Sequence, residues 1–295
     1  MKIFIKNNKV RLIITIILLI WVSLCAIEYK ANKIEQQKNY DEMVDKCKNE
    51  EEYQNQEWCN SYTEGRSIIP DTITVYFYIV CNSSINYIPW LAPMIIIMIS
   101  IWNFHKKLHS GYIKNELMRT NYNDCMKKAI IDSLKCAFIF PFVFFFLFLI
   151  SFMISGHFNI ESLSQMFVND VFLKNIPLLM ITYFIVMFLH SIFYINLGLV
   201  SCKKNRNILV AILIGYLFFI IIAIISEIFI GAFFLRFLGL LKYAPVFNLL
   251  DIWLFSEYPS LISTLLYSIL LVIFSFILLI KTYKDEEEVL ISIEE

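Results

Sequence analysis

Long apolar runs separated by short polar stretches dominate the chain. Six runs approach or exceed the roughly 20 residues that a helix needs to cross a bilayer. They lie at about residues 12–27, 87–104, 136–155, 176–200, 208–234 and 259–280. The pattern predicts an all-α integral membrane protein of six transmembrane helices, in which residues 1–295 form a single transmembrane domain.

Two weaker apolar segments accompany these predicted spans. Residues 72–86 are interrupted by Asn82 and Ser83, so we expect a short amphipathic helix that approaches the second span. Residues 235–258 are moderately apolar but contain Arg236, Asp251 and Glu257. This composition predicts a partly re-entrant segment of broken helices before the last span, which is tolerated where protein covers the backbone.

Charged residues divide unevenly between the predicted connections. Residues 28–71 are rich in acidic side chains, which favours an extracellular polar segment that extends the first helix in part. Residues 105–135 carry more basic than acidic residues, namely Lys106, Lys107, Lys114, Arg119, Lys127, Lys128 and Lys135 against Glu116, Asp124 and Asp132. Because cytoplasmic loops are enriched in Lys and Arg, this loop and both termini are expected on the cytoplasmic side of the plasma membrane.

The basic loop at residues 105–135 contains two short amphipathic patterns. Apolar residues recur every three or four positions, first at Ile113 and Leu117 and then at Met126, Ile130 and Leu134. This spacing predicts two helices separated by a turn near residues 120–123. The loop either docks onto a cytosolic partner or rests on anionic lipid headgroups, and spacing alone leaves both open.

Composition supports a membrane protein and argues against nucleic-acid binding. The 295-residue chain is 59% hydrophobic, with a mean hydropathy of +0.66, whereas soluble domains are roughly 45–50% apolar. The formal net charge is zero and the basic residues are confined to short loops. No broad basic surface is therefore expected.

The seven cysteines show no paired CxxC spacing, so no metal centre is predicted. Cys47 and Cys59 form a disulfide if the outer compartment is oxidising, or remain two free thiols on a polar segment. His105 and His109 are four residues apart, a spacing that suits two ligands on one helix face. A third ligand is missing, which favours headgroup contacts over metal binding.

Two ionisable residues fall within predicted spans. A charged group at the centre of a membrane helix costs roughly 2.5–3.5 kcal/mol on insertion scales, so Glu227 either lies on a substrate path or pairs across helices. His190 is interpreted as a neutral, hydrogen-bonding histidine or as a second residue of such a path. The chain has no catalytic pair, no G-x-S-x-G motif and no G-x-x-x-x-G-K-[ST] phosphate loop.

Six spans with a basic loop between the second and third resemble the membrane permease subunit of type-2 ABC exporters. The specific likeness is the run Gly111-Tyr112-Ile113-Lys114-Asn115 followed by Leu117, with further likeness at Asn196-Leu197-Gly198-Leu199 and at Leu240-Leu241-Lys242-Tyr243-Ala244-Pro245. One departure is Lys106, Lys107 and His109, which occupy positions where family members commonly carry an acidic residue.

The resemblance implies a permease without ATPase motifs of its own. Gly111, Ile113, Lys114, Leu117 and Arg119 would couple it to a cytosolic ABC ATPase subunit that holds ATP and Mg. A second permease copy or paralogue would complete a dimer that exports a hydrophobic or amphipathic substrate such as a peptide, a drug or a lipid-like molecule. The alternative is a non-transporting membrane partner or immunity protein, which would bind a peptide or another membrane protein.

Overall fold

A computed structural model of the chain describes residues 2–50, 59, 69–110, 121–157, 176–249 and 261–284. Within these residues the fold is all-helical and contains no strand. The helices are α1 (Lys2–Asn49), α2 (Thr72–Asn82), α3 (Ile88–His109), α4 (Tyr122–Leu134), α5 (Ile139–Ser155), α6 (Ile176–Cys202), α7 (Ile208–Ile224) and α8 (Leu261–Thr282). Short 3₁₀ segments join α2 to α3 and α4 to α5, at Ser84–Tyr87 and Lys135–Phe138.

Five of the described helical stretches are long and apolar enough to cross a membrane. They contain α1, the joined α4 and α5, α6, α7 with its continuation, and α8. This finding supports a multi-pass membrane protein. The 22-residue α3 is outside this group and ends in Lys106, Lys107 and His109, so the predicted count of six spans stays a prediction.

Helix α6 lies at the centre of the bundle. It packs against α8, α7, α3 and α5, and every residue of 193–199 is buried. The helix also carries polar side chains, among them His190 and Asn196, that are buried, and such residues in membrane helices face the bundle interior, where they find partners. The other helices form a layer around α6 and expose apolar side chains such as Phe142, Leu217 and Ile277 outward.

Helices approach each other closely where α6 crosses α3 and α7. A β-carbon added at Gly198 of α6 would lie 2.9 Å from the Cγ2 atoms of both Ile97 and Ile101 on α3. One added at Gly215 of α7 would lie 3.2 Å from the Cα of Gly198. Small residues allow membrane helices to approach this closely, and the resulting contacts contribute most of the packing energy.

Helix α1 is continuous over 48 residues, which corresponds to roughly 70 Å at about 1.5 Å per residue. The hydrocarbon core is only about 30 Å thick, so a large part of α1 lies beyond it. The prediction that the first helix continues into the polar segment is confirmed. Near the middle of α1, the Trp21 Nε1–H donates to the Ser84 hydroxyl (2.8 Å), and the Cys25 sulfur lies 3.2 Å from the same oxygen.

The start of α2 is fixed by a side-chain cap and by the end of α5. Asp71 accepts hydrogen bonds from the backbone N–H groups of Ile73 and Thr74, both at 3.0 Å, which satisfies two donors that the helix leaves unpaired. The backbone N–H of Thr72 donates to the carbonyl oxygen of His157 (3.1 Å). These bonds place α2 against the end of α5.

Helix α7 continues into a π-helix, Ile225–Phe234, and a last helical turn, Leu235–Phe237. A 3₁₀ segment, Leu241–Phe247, then folds back against the π-helix. The Ser226 hydroxyl donates to the carbonyl oxygen of Phe247 (2.7 Å) and contacts the Tyr267 hydroxyl of α8. Residues 243–249 of the segment before the last helix are therefore packed against protein, whereas residues 236–242 are exposed.

The close approach at Gly198 generates a prediction for stability. Gly198→Ala places a methyl group against two β-branched side chains and should destabilise the protein by about 1–3 kcal/mol, as overpacking does in other cores. Thermal unfolding of the purified protein in detergent measures the change.

Gly231→Ala is the matched control for this substitution. The nearest atoms to a β-carbon at Gly231 are 3.4 Å away, which is ordinary contact, and alanine is favoured over glycine in both helices. We expect little change for the control. Equal unfolding midpoints for the two variants would show that the α6 crossing is not close packed.

Candidate coupling face and intramembrane polar row

The five residues predicted to couple the chain to an ATPase, Gly111, Ile113, Lys114, Leu117 and Arg119, lie outside the described residues. Both flanks of this loop are described. Helix α3 ends at His109 and α4 begins at Tyr122, and the two helices pack against each other. The loop therefore joins neighbouring helix ends, and the arrangement of these ends determines what a movement of the loop would displace.

Tyr283, just after α8, connects four helices at this end of the bundle. Its hydroxyl donates to the carbonyl oxygen of Leu199 on α6 (2.7 Å), and its own carbonyl oxygen accepts from the Tyr122 hydroxyl of α4 (3.0 Å). Its ring packs edge to face on Phe104 of α3, with 5.7 Å between centroids. The ends of α3, α4, α6 and α8 thus meet at one buried side chain.

Charged side chains add a second connection between α3 and α4. The Lys107 Nζ lies 3.7 Å from one carboxylate oxygen of Asp132, and the Lys135 Nζ lies 2.7 Å from the other. Burial disfavours the charged carboxylate, but the Lys135 hydrogen bond and the charges of Lys135, Lys107 and Arg11 outweigh it and lower the pKa of Asp132. Such partly exposed pairs contribute at most about 1 kcal/mol each, so they orient the helices more than they stabilise them.

Two histidines attach the turn after α6 to the end of α3. The Nε2–H of His105 donates to the carbonyl oxygen of Asn205 (2.7 Å), and the Nε2–H of His109 donates to that of Cys202 (3.0 Å). Both rings carry their proton on Nε2, because a carbonyl oxygen only accepts. Burial lowers the pKa of His105, the Asn205 hydrogen bond opposes this, and the neighbouring His109 adds to the lowering.

We call this end of the bundle the basic face and define it by Tyr283, the Asp132 ion pairs and the two histidine contacts. The spacing of His105 and His109 suits metal ligands or headgroup contacts. In the structure, both rings are hydrogen bonded to backbone carbonyl oxygens. Among the described residues, no group of three or more His, Cys, Asp or Glu side chains is close enough to hold a metal ion.

Inside the bundle, polar side chains of α6 face polar side chains of α8. The Ser268 hydroxyl donates to the carbonyl oxygen of Thr264 (2.7 Å), so its oxygen accepts from the Nε2–H of His190 (3.1 Å). The other ring nitrogen of His190 is then an acceptor, and the Tyr194 hydroxyl lies 3.4 Å from it. His190 is buried and hydrogen bonded, and its part in a substrate path stays a prediction.

Two turns further along, Asn196 repeats the arrangement. Its amide N–H donates to the Ser275 hydroxyl (2.9 Å), which itself donates to the carbonyl oxygen of Val272 (2.8 Å). We call the His190–Ser268 and Asn196–Ser275 pairs the polar row. Interhelical hydrogen bonds in membranes average only about 0.6 kcal/mol, so the row sets the position of α8 along α6 more than it holds the helices together.

Glu227 lies in the first turn of the π-helix and is exposed on the outside of the bundle. Its neighbours Ile224 and Ile228 are exposed apolar side chains. The structure therefore places Glu227 and the buried His190 in different environments. Neither assignment of Glu227, to a substrate path or to pairing across helices, is tested by this position.

Cys47 and Cys59 are joined by a disulfide, with 5.7 Å between their Cα atoms. Cys47 lies in the last turn of α1, far from the basic face along the helix. Disulfides persist in oxidising compartments. The disulfide and the basic face thus lie toward opposite ends of α1.

Two features of the site were missed in the sequence. The polar row could have been predicted, because Thr264, Ser268 and Ser275 recur at spacings of four and seven and so share one face of α8. Tyr283 follows the last span beside Lys281 and Lys284, where a tyrosine is normally interpreted as an interfacial anchor. Its contacts depend on the tertiary arrangement.

No family model, curated protein or solved structure matches the chain. A function for this chain therefore has to be inferred from its own fold and contacts.

The contacts of Tyr283 generate a prediction. Tyr283→Phe keeps the ring on Phe104 but removes the hydroxyl that donates to Leu199. Since a typical hydrogen bond contributes about 0.5–1.5 kcal/mol, we expect the protein to lose about 1 kcal/mol of stability. Thermal unfolding in detergent measures this loss.

Tyr87→Phe serves as the control, because Tyr87 is 68% exposed. We expect its unfolding midpoint to match that of the unaltered protein. If Tyr283→Phe also left the midpoint unchanged, Tyr283 would not connect the helix ends.

Proposed function

We propose that the chain is the membrane permease subunit of an ATP-driven ABC exporter, energised by a separate ATPase. The observation that carries the proposal is the basic face. The loop of residues 111–120 joins α3 to α4, and Tyr283 links the ends of both helices to α6 and α8. A push on such a loop would reach four helices at once, as coupling to a motor subunit requires.

The proposed topology has six spans, with α3 as the second and the basic face in the cytoplasm. Two observations support it. The basic face contains Lys107, Lys135 and Arg206, in keeping with the excess of Lys and Arg in cytoplasmic loops. The Cys47–Cys59 disulfide lies toward the other end, which suits the oxidising side of a plasma membrane.

A dimer is part of the proposal. An ionisable side chain on a lipid-facing helix is costly unless it pairs or reaches water. Glu227 is exposed between apolar neighbours, a position where a second copy or paralogue would supply a partner. The transported molecule is proposed to be hydrophobic or amphipathic, namely a peptide, a drug or a lipid-like compound.

The topology is tested by labelling introduced cysteines with a membrane-impermeant maleimide. Lys204→Cys should react only after permeabilisation, whereas Leu240→Cys should react in intact cells, because the two exposed positions lie on opposite sides in the proposed topology. The unaltered chain is the control, since its Cys81 thiol is half-buried. Reaction of Lys204→Cys in intact cells would reverse the orientation and remove the basis for cytosolic coupling.

Coupling is tested by placing carboxylates on the predicted apolar face of the loop. The double variant Ile113→Asp with Leu117→Asp should insert normally, because both positions lie outside the spans. Helices bound in grooves depend on such apolar anchors, and losing two anchors of at least about 1 kcal/mol each should weaken the contact more than tenfold. The measurement is co-purification of an ABC ATPase from native membranes, together with ATP hydrolysis by the purified material.

The double variant Asn115→Asp with Asn121→Asp adds the same charge to the loop away from that apolar face. We expect this control to keep the ATPase. If the Ile113 and Leu117 double variant also kept its ATPase and full hydrolysis, the loop would only rest on lipid headgroups. The chain would then be better described as a non-transporting membrane partner or immunity protein.

A further inference from the structure

An open pocket of about 480 Å³ lies between the last turns of α3 and the start of α7. Its volume is within the roughly 300–1,000 Å³ of sites for small molecules. The lining residues are Trp102, His105, Lys106, Arg206, Asn207 and Ile208. One histidine of the basic face is part of this lining, namely His105, whose ring is held by the carbonyl oxygen of Asn205.

The lining of this pocket is positively charged. Lys106 and Arg206 are both exposed and come from different helix ends, and none of the lining residues is acidic. The Lys106 Nζ lies 5.1 Å from the centre of the Trp102 ring, a cation–π distance that holds the ammonium group beside the indole. Two cations facing one opening favour an anionic ligand, and a guanidinium group is well suited to phosphate.

An exposed apolar surface begins one residue after Ile208 of the pocket. Leu209, Leu213 and Leu217 of α7 are 62%, 52% and 55% exposed. They are spaced four residues apart, so they form one ridge along the spanning helix. A ligand that uses both features has an anionic head and a long apolar tail. Trp102 at the opening agrees with this location, because tryptophan is enriched where headgroups meet hydrocarbon.

We propose that this pocket binds an anionic phospholipid, with the phosphate between Lys106 and Arg206 and an acyl chain along the leucine ridge. The bound lipid would hold the turn after α6 and the end of α3 together from outside the bundle. The proposal requires a membrane-inserted chain but does not depend on an ATPase, so it stands or fails separately from the proposed function.

The test uses purified, delipidated full-length protein in a zwitterionic detergent. Phosphatidylglycerol or phosphatidylcholine is titrated, and bound lipid is counted by native mass spectrometry. We expect preferential binding of phosphatidylglycerol, and an apparent affinity at least tenfold lower for Lys106→Gln with Arg206→Gln. Both side chains are exposed, so the elution profile on size exclusion should not change.

Two further variants make the result specific. Lys281→Gln with Lys284→Gln removes the same charge from exposed positions near Tyr283 that do not line the pocket, and should keep the affinity. Lys106→Arg with Arg206→Lys exchanges the cations and should restore most of the binding. The proposal is overturned by equal losses in the two glutamine variants, by equal binding of the two lipids, or by full displacement of phosphatidylglycerol with millimolar inorganic phosphate.

Discussion

The close approach of three helices at Gly198 is the constraint on which the rest of the structure depends. A β-carbon at this position would lie against Ile97 and Ile101, and one at Gly215 would lie against the Gly198 backbone. Lipid tails are as apolar as leucine, so the hydrophobic effect that assembles soluble cores contributes little between helices in a membrane. Van der Waals packing at close contact must supply the association energy instead. Helix α8 packs against another surface of α6, and the polar row fixes its position along that surface.

Both hydrogen-bonding regions therefore fix the relative positions of the helices more than they stabilise the bundle. The polar row and the Tyr283 contacts consist of single bonds of about 1 kcal/mol or less, which is small beside the packing of the helices around α6. Their value is directional, since each bond forms only at one relative placement of two helices. Tyr283 restricts the helix positions more than the polar row does, because its ring contact and both of its hydrogen bonds must form together.

The helices could be largely predicted from the sequence, whereas their contacts could not. The length of α1 follows from a chain that contains neither glycine nor proline between residues 2 and 49. Apolar runs likewise predicted α5 to α8, because length and composition are local properties. The π-helix after Ile224 and the partners of His190, Asn196 and Tyr283 were not predicted, since they depend on which helices become neighbours. Glu227 can be recognised in the sequence as an ionisable residue within an apolar run, but its exposed position depends on the same tertiary arrangement.

Helix α1 also has a mechanical consequence. Of residues 30–49, only Val44 is buried, so the second half of this helix is much less covered than the part that packs in the core. Its contact with Ser84, through Trp21 and Cys25, lies close to the midpoint of the 48 residues. The helix is continuous from this contact to the disulfide, so Cys47 lies roughly 30 Å along the axis from Cys25. A partner bound at the disulfide would therefore act on the packed part of α1 from that distance, without touching the bundle.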